Sequence, residues 1–119
     1  MTRVENTDEA ETLLVEEYDV PQNLVDELFE EMETIASALI GEYDVDDVDA
    51  SVVEESLTCG FAEAIAEFID RGVREPSDMR DFVDDLKHNP VSTASTVAGR
   101  VATRNEDMMR VSEVILTSR

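Results

Sequence analysis

Apolar side chains recur at steps of three and four residues through most of the chain, the spacing that places them on one face of an α-helix. The clearest run contains Leu24, Leu28, Met32, Ile35 and Leu39. No segment alternates convincingly between apolar and polar residues with the period of a β-strand. The pattern therefore predicts an all-α fold.

Start and stop signals divide the first half of the chain into a short leading helix and two long ones. Thr7 is expected to cap the short helix, and Pro21 is well placed as the first residue of the next, which Gly41 ends. The segment 51–54 has the S-x-x-E form of a helix start. Gly72 is the expected stop of this second long helix.

Two more helices are expected in the second half. Pro76 or Ser77 opens a short one that the dipeptide 89–90, Asn-Pro, stops. The last helix is expected to start at Ser92 or Thr93 and to continue unbroken toward the C-terminus. Its candidate inward-facing residues are Ala94, Val97, Ala98, Val101, Ala102, Met108, Ile115 and Leu116.

Gly60 lies inside the second long helix, on the flank of its apolar stripe. Glycine at an interior helical position costs up to about 1 kcal/mol relative to alanine. One interpretation is that another helix crosses closely at this point, and the alternative is that the glycine is incidental.

The length of 119 residues suits one domain, and folding at this size hides roughly two-thirds of the surface that the unfolded chain exposes. The apolar fraction of 42% is too high for a disordered acidic chain. We expect a flexible N-terminus, residues 1–6, and a single helical domain over 7–119. Its architecture is predicted as a compact bundle of four main helices with a short N-terminal helix.

Negative charge is distributed unevenly along the chain. The net charge is −21, from 30 acidic residues against nine Lys and Arg. Residues 1–60 hold 19 acidic residues and one basic residue, whereas residues 89–119 hold three acidic residues and four arginines. Like charges repel over about 10 Å at 0.1 M salt but over only about 3 Å at 1 M. The acid-rich, lysine-poor composition resembles that of proteins from salt-accumulating halophilic microbes and their viruses; an acidic regulator with a basic partner is the alternative.

Targeting and anchoring signals are missing from the sequence. Cys59 is the single cysteine, which precludes an internal disulfide, and no apolar run approaches the roughly 20 residues that cross a bilayer. The N-terminal residues lack the basic and apolar regions of a signal peptide. We expect a cytoplasmic protein, or a virion component if the gene is viral, with no membrane association.

Residues with catalytic or metal-binding chemistry are few. His88 falls in the last turn of a helix and has no obvious partner, and Cys59 lies among glutamates that would raise its pKa, so an inert, half-exposed thiol is expected. Residues 44–55, which begin within the acidic connector 42–49, span the twelve positions of a calcium-binding loop, but position five is Val48 and position six is Asp49, where the sharp turn needs glycine. A solvated connector is favoured over a weak cation site. No cofactor, metal or enzymatic activity is predicted.

The weakly charged last helix is the candidate contact surface. We expect a non-catalytic subunit that docks through this helix onto a protein partner or into a homo-oligomer, for example a ring-forming connector or adaptor. The candidate partner-binding residues are Arg100, Arg104, Met108, Met109, Val111 and Ile115. The alternative is a small DNA-binding regulator that uses the third and fourth main helices, with Arg100 and Arg104 near phosphate.

Overall fold

The computed structural model describes residues 4–117, which form six α-helices and contain no β-strand. In chain order the helices are α1 (Thr7–Thr12), α2 (Gln22–Glu42), α3 (Ala50–Asp70), α4 (Met79–His88), α5 (Pro90–Ala98) and α6 (Glu106–Thr117). A π-helical turn, Leu13–Glu17, continues α1, and 3₁₀ turns precede α4 (Pro76–Asp78) and follow α5 (Gly99–Val101). The all-α prediction is confirmed, but the helices number six rather than five.

Side chains just outside the first helical turn set where the helices begin. Asn6, not Thr7, caps α1, because its Oδ1 accepts a hydrogen bond from the backbone N–H of Glu9 at 2.9 Å. Asp49 caps α3 in the same way through the backbone N–H of Ser51 at 2.9 Å. Both starts therefore differ from the predicted ones by a residue or two.

The predicted glycine stops lie at or near the observed helix ends. Gly72 follows α3 with a φ of +72°, a left-handed conformation that glycine adopts without a Cβ clash. Gly41 remains helical, and α2 continues to Glu42. A glycine in the sequence marked both regions, but only Gly72 terminates its helix by its own conformation.

The predicted last helix is in fact two helices, which is the main error in the sequence-based fold. The chain leaves α5 through the 3₁₀ turn and starts again after Asn105. The side-chain oxygen of Asn105 accepts from the backbone N–H of Met108 at 2.8 Å, and its amide donates to Ser56 Oγ on α3, also at 2.8 Å. Asparagine followed by Glu106 and Asp107 is a helix-start signal that apolar periodicity alone overlooks.

α5 lies at the centre of the fold and packs against α2, α3, α4 and α6. It carries no charged residue, which suits its central position. Its approach to α3 is close at Gly60, where an added Cβ would lie 2.6 Å from Val97 Cγ1 and 2.8 Å from Val101 Cγ1. The predicted close helix crossing at Gly60 is therefore confirmed.

The N-terminal segment differs from the predicted flexible arm at Val4. This side chain is 1% exposed, and its carbonyl oxygen accepts a hydrogen bond from the Arg104 guanidinium. Residues 1–3 and 118–119 lie outside the described residues. The burial of Val4 means that the hydrophobic core begins before the first helix.

Candidate interaction site

Three of the predicted partner-binding residues belong to the core. Met108, Val111 and Ile115 are 0%, 0% and 5% exposed, because α6 packs onto α3 and α5 with this face inward. The buried hydroxyl of Ser112 on the same helix donates to the Ala98 carbonyl oxygen at 3.0 Å and ties α6 to the end of α5. In this fold a partner cannot reach these three side chains, so the predicted contact face is corrected here.

The two predicted arginines pair with carboxylates of α3. Arg104 lies 3.1 Å from Glu63 Oε2, and the two side chains are only 13% and 16% exposed. Arg100 lies 2.8 Å from Glu67 Oε2, and its hydrogen bond is the main cause that lowers the pKa of that carboxyl. Arg71 reaches the other oxygen of Glu67 at 2.7 Å. Both predicted arginines therefore hold the C-terminal half of the chain onto α3.

Met109, a predicted partner-binding residue, is exposed on α6. Leu116 is exposed on the same helix, although the sequence pattern assigned it to the core. Met109 is 47% exposed and Leu116, seven residues later, is 70% exposed. Residues three, four and seven apart share one face of a helix, so Glu106 and Glu113 lie along the same line. We call these four residues the α6 stripe. The prediction that Leu116 packs inward was wrong, because the inward face of α6 carries Met108, Val111 and Ile115, and Leu116 lies about 100° around the helix from Ile115.

A groove of about 280 Å³ opens between α3, α4 and α5. Its walls are Phe61, Ala64, Phe68, Phe82, Ser92, Thr93, Thr96, Val97 and Arg100. Phe61 and Phe82 meet edge to face with ring centroids 6.1 Å apart. We call this the aromatic groove. Sequence reasoning missed it because periodicity placed the three phenylalanines on inward-facing stripes without showing that the helices leave a cleft between them.

Cys59 is fully buried rather than half-exposed as predicted. Burial is the main cause that raises the pKa of its thiol to about 11, and nearby glutamates add to the effect while Arg104 opposes it. The expected direction of the pKa shift is thus confirmed, although desolvation contributes more than the charges. A thiol in this state is a poor nucleophile at neutral pH.

The remaining candidate groups are His88 and the acidic connector 42–49. His88 lies in the last turn of α4, as predicted, with Nδ1 2.7 Å from the Asp84 carbonyl oxygen. Across residues 4–117, no three or more His, Cys, Asp or Glu side chains converge as metal ligands, including those of the acidic connector. The same part of the chain offers no helix with the length and apolarity to traverse a bilayer.

Comparisons with protein-family models, curated proteins and solved structures give no match to this chain. The exposed features of the molecule that bear on its function are the α6 stripe and the aromatic groove.

Proposed function

We propose that this protein is a non-catalytic interaction or assembly subunit that works in concentrated salt and docks through α6. The observation that carries the proposal is the α6 stripe, where Met109 and Leu116 stand exposed two turns apart. Among the described residues, the one other large apolar side chain with comparable exposure is Val73, in the turn after α3. Large apolar side chains that share one exposed helix face are typical of protein-protein contacts.

The charge distribution supports the salt-rich setting of the proposal. α2 contains six acidic residues and no basic one, and α3 contains five acidic residues and no basic one. Glu27 on α2 pairs with Arg80 at 2.7 Å and Lys87 at 3.4 Å, and Glu67 on α3 pairs with Arg71 and Arg100. With a net charge of −21, the surface carboxylates repel one another in dilute buffer, which destabilises the folded state. Concentrated salt screens this repulsion. A halophilic microbe or its virus is the environment that this surface suits, and a ring-forming connector is one assembly of this kind.

The arrangement gives no comparable support to the DNA-binding alternative. The proposed phosphate contacts, Arg100 and Arg104, are engaged with carboxylates of α3. The proposed recognition helix, α5, contacts four other helices, and α4 beside it exposes Asp81, Asp84 and Asp85. Carboxylates at that position would repel the DNA backbone.

Light scattering in molar KCl tests self-assembly. The wild-type protein should show a mass that rises with concentration, and Leu116→Glu should remove the rise while leaving the helical circular dichroism unchanged. Val73→Glu is the matched control, since it places the same charge on another exposed apolar residue outside α6. Loss of association in both variants alike would show a general charge effect and contradict docking through α6.

Photo-crosslinking covers the case of a different protein partner. A benzoylphenylalanine at position 109 should give a discrete adduct in a salt-adapted lysate, and Leu116→Glu in the same chain should abolish it. A chain that is monomeric at every concentration and also gives no adduct sensitive to Leu116→Glu would refute the proposed function.

A further inference from the structure

The aromatic groove lacks carboxylates, although the protein carries 30 of them. Its one charged wall residue is Arg100, whose side chain is 36% exposed. Its other walls are aromatic rings, small apolar side chains and the hydroxyls of Ser92, Thr93 and Thr96. A second molecule with a net charge of −21 therefore meets less repulsion here than on the acidic faces of α2 and α3.

The α6 stripe has the complementary properties. Met109 and Leu116 are about 10 Å apart along the helix axis, at 1.5 Å per residue, so two apolar side chains project from the same face of α6. Glu113 lies between them on the same face and offers a carboxylate to Arg100. The guanidinium of Arg100 has five N–H donors in all, which leaves donors available beyond its contact with Glu67.

The two features lie on separate surfaces of one molecule. No residue of α6 is part of the groove wall, which is built by α3, α4 and α5 together with Arg100 of the following turn. α6 is also held to α5 through Ser112 and to α3 through the Asn105–Ser56 hydrogen bond. Because α6 is held in place, its stripe cannot reach the aromatic groove of the same chain. It can enter that groove only on another copy.

We propose that the aromatic groove of one copy receives the α6 stripe of a second copy in a head-to-tail contact. This proposal rests on the proposed function and names the partner. Because the two contacting surfaces differ, an open assembly keeps one free stripe at one end and one free groove at the other, and repetition of the contact gives a ring or a filament.

A complementation experiment tests this contact. Thr96→Glu places a carboxylate in the groove wall at an exposed site whose hydroxyl only donates to the Ser92 carbonyl oxygen. Leu116→Glu damages the stripe. In molar KCl each variant alone should remain monomeric, and an equimolar mixture should form particles of two chains, because one intact groove and one intact stripe survive in the pair. Ser92→Glu, also exposed in the groove wall, is a second groove variant in case Thr96→Glu does not fold.

A variant with the same added charge outside the groove controls for a general effect of charge on association. Ser37→Glu adds the same charge on an exposed position of α2, outside the groove, and should associate as the wild type does. If Leu116→Glu abolishes association while both groove variants associate normally, the head-to-tail contact is wrong and docking through α6 stands. If the mixture stays monomeric, the pairing of stripe and groove is also overturned. A wild-type protein that stays monomeric throughout overturns self-assembly altogether.

Discussion

Replacing Gly60 with alanine measures how tightly α3 and α5 are packed. Alanine normally stabilises an interior helical position by up to about 1 kcal/mol relative to glycine. Here the new methyl group would lie 2.6 Å from Val97 Cγ1 and 2.8 Å from Val101 Cγ1. Both valines are buried and β-branched, so they have few alternative rotamers with which to move away.

The two effects oppose each other, and the packing cost should exceed the helical gain. Inserting a methyl group into a well-packed core costs about 1–3 kcal/mol, and two simultaneous contacts this short place Gly60→Ala in the upper half of that range. Subtracting the gain in helix propensity leaves a net loss of about 1–2 kcal/mol in the free energy of unfolding. With an unfolding entropy of about 2.1 cal/mol/K per residue over 119 residues, the melting temperature should fall by about 4–8 °C.

Thermal denaturation followed by circular dichroism in molar KCl provides the measurement, and Gly41→Ala is the matched control. Gly41 is exposed near the end of α2, and a Cβ there would meet no atom within 4 Å. Gly41→Ala should therefore leave the melting temperature unchanged or raise it slightly. In a Val97→Ala background the cost of Gly60→Ala should shrink, because its closest contact is removed. If Gly60→Ala raises the melting temperature as Gly41→Ala does, the close crossing of α3 and α5 is refuted.

Three further predictions concern charge. Arg104→Ala should lower the free energy of unfolding by about 1.5–3 kcal/mol, since it leaves the mostly buried Glu63 carboxylate and the Val4 carbonyl oxygen without their donor. Chemical denaturation measures this loss, and an unchanged midpoint would contradict the role of Arg104. The melting temperature of the wild type should rise from 0.1 M to molar KCl as the Debye length falls from about 10 Å to about 3 Å; a melting temperature indifferent to ionic strength would refute the account of the charge. The folded protein holds the proton of Cys59 more tightly than the unfolded chain does, with a pKa raised from 9.0 to about 11. The contribution of this group to the free energy of unfolding is therefore fully present below pH 9 and is lost as the pH rises through 11. Cys59→Ala should flatten that decline, and an equally steep decline in both proteins would assign it to other groups.

The helical class and the approximate positions of most helices could be predicted from the sequence. These features depend on neighbours a few residues apart: the repeat of apolar positions in α2 and α3, the Pro that precedes α2, the left-handed Gly72 and the Asn-Pro pair between α4 and α5. The excess of carboxylates is likewise a property of composition. Local signals also marked the break before α6, at Asn105, but a continuing apolar period concealed it.

Which apolar residues are covered follows from the packing of the helices and could not be predicted from the sequence pattern. Periodicity identifies the apolar face of a helix but not what packs against that face. Met108 and Ile115 were therefore candidates both for the core and for the contact surface, and Val111 was assigned to the contact surface although it is buried. The same limit hid the aromatic groove, whose walls come from three helices, and the pairing of Arg100 and Arg104 with carboxylates more than 30 residues away in the chain. Contacts between distant segments depend on how helices cross, and the crossing angle and spacing follow from the packing of all the side chains together.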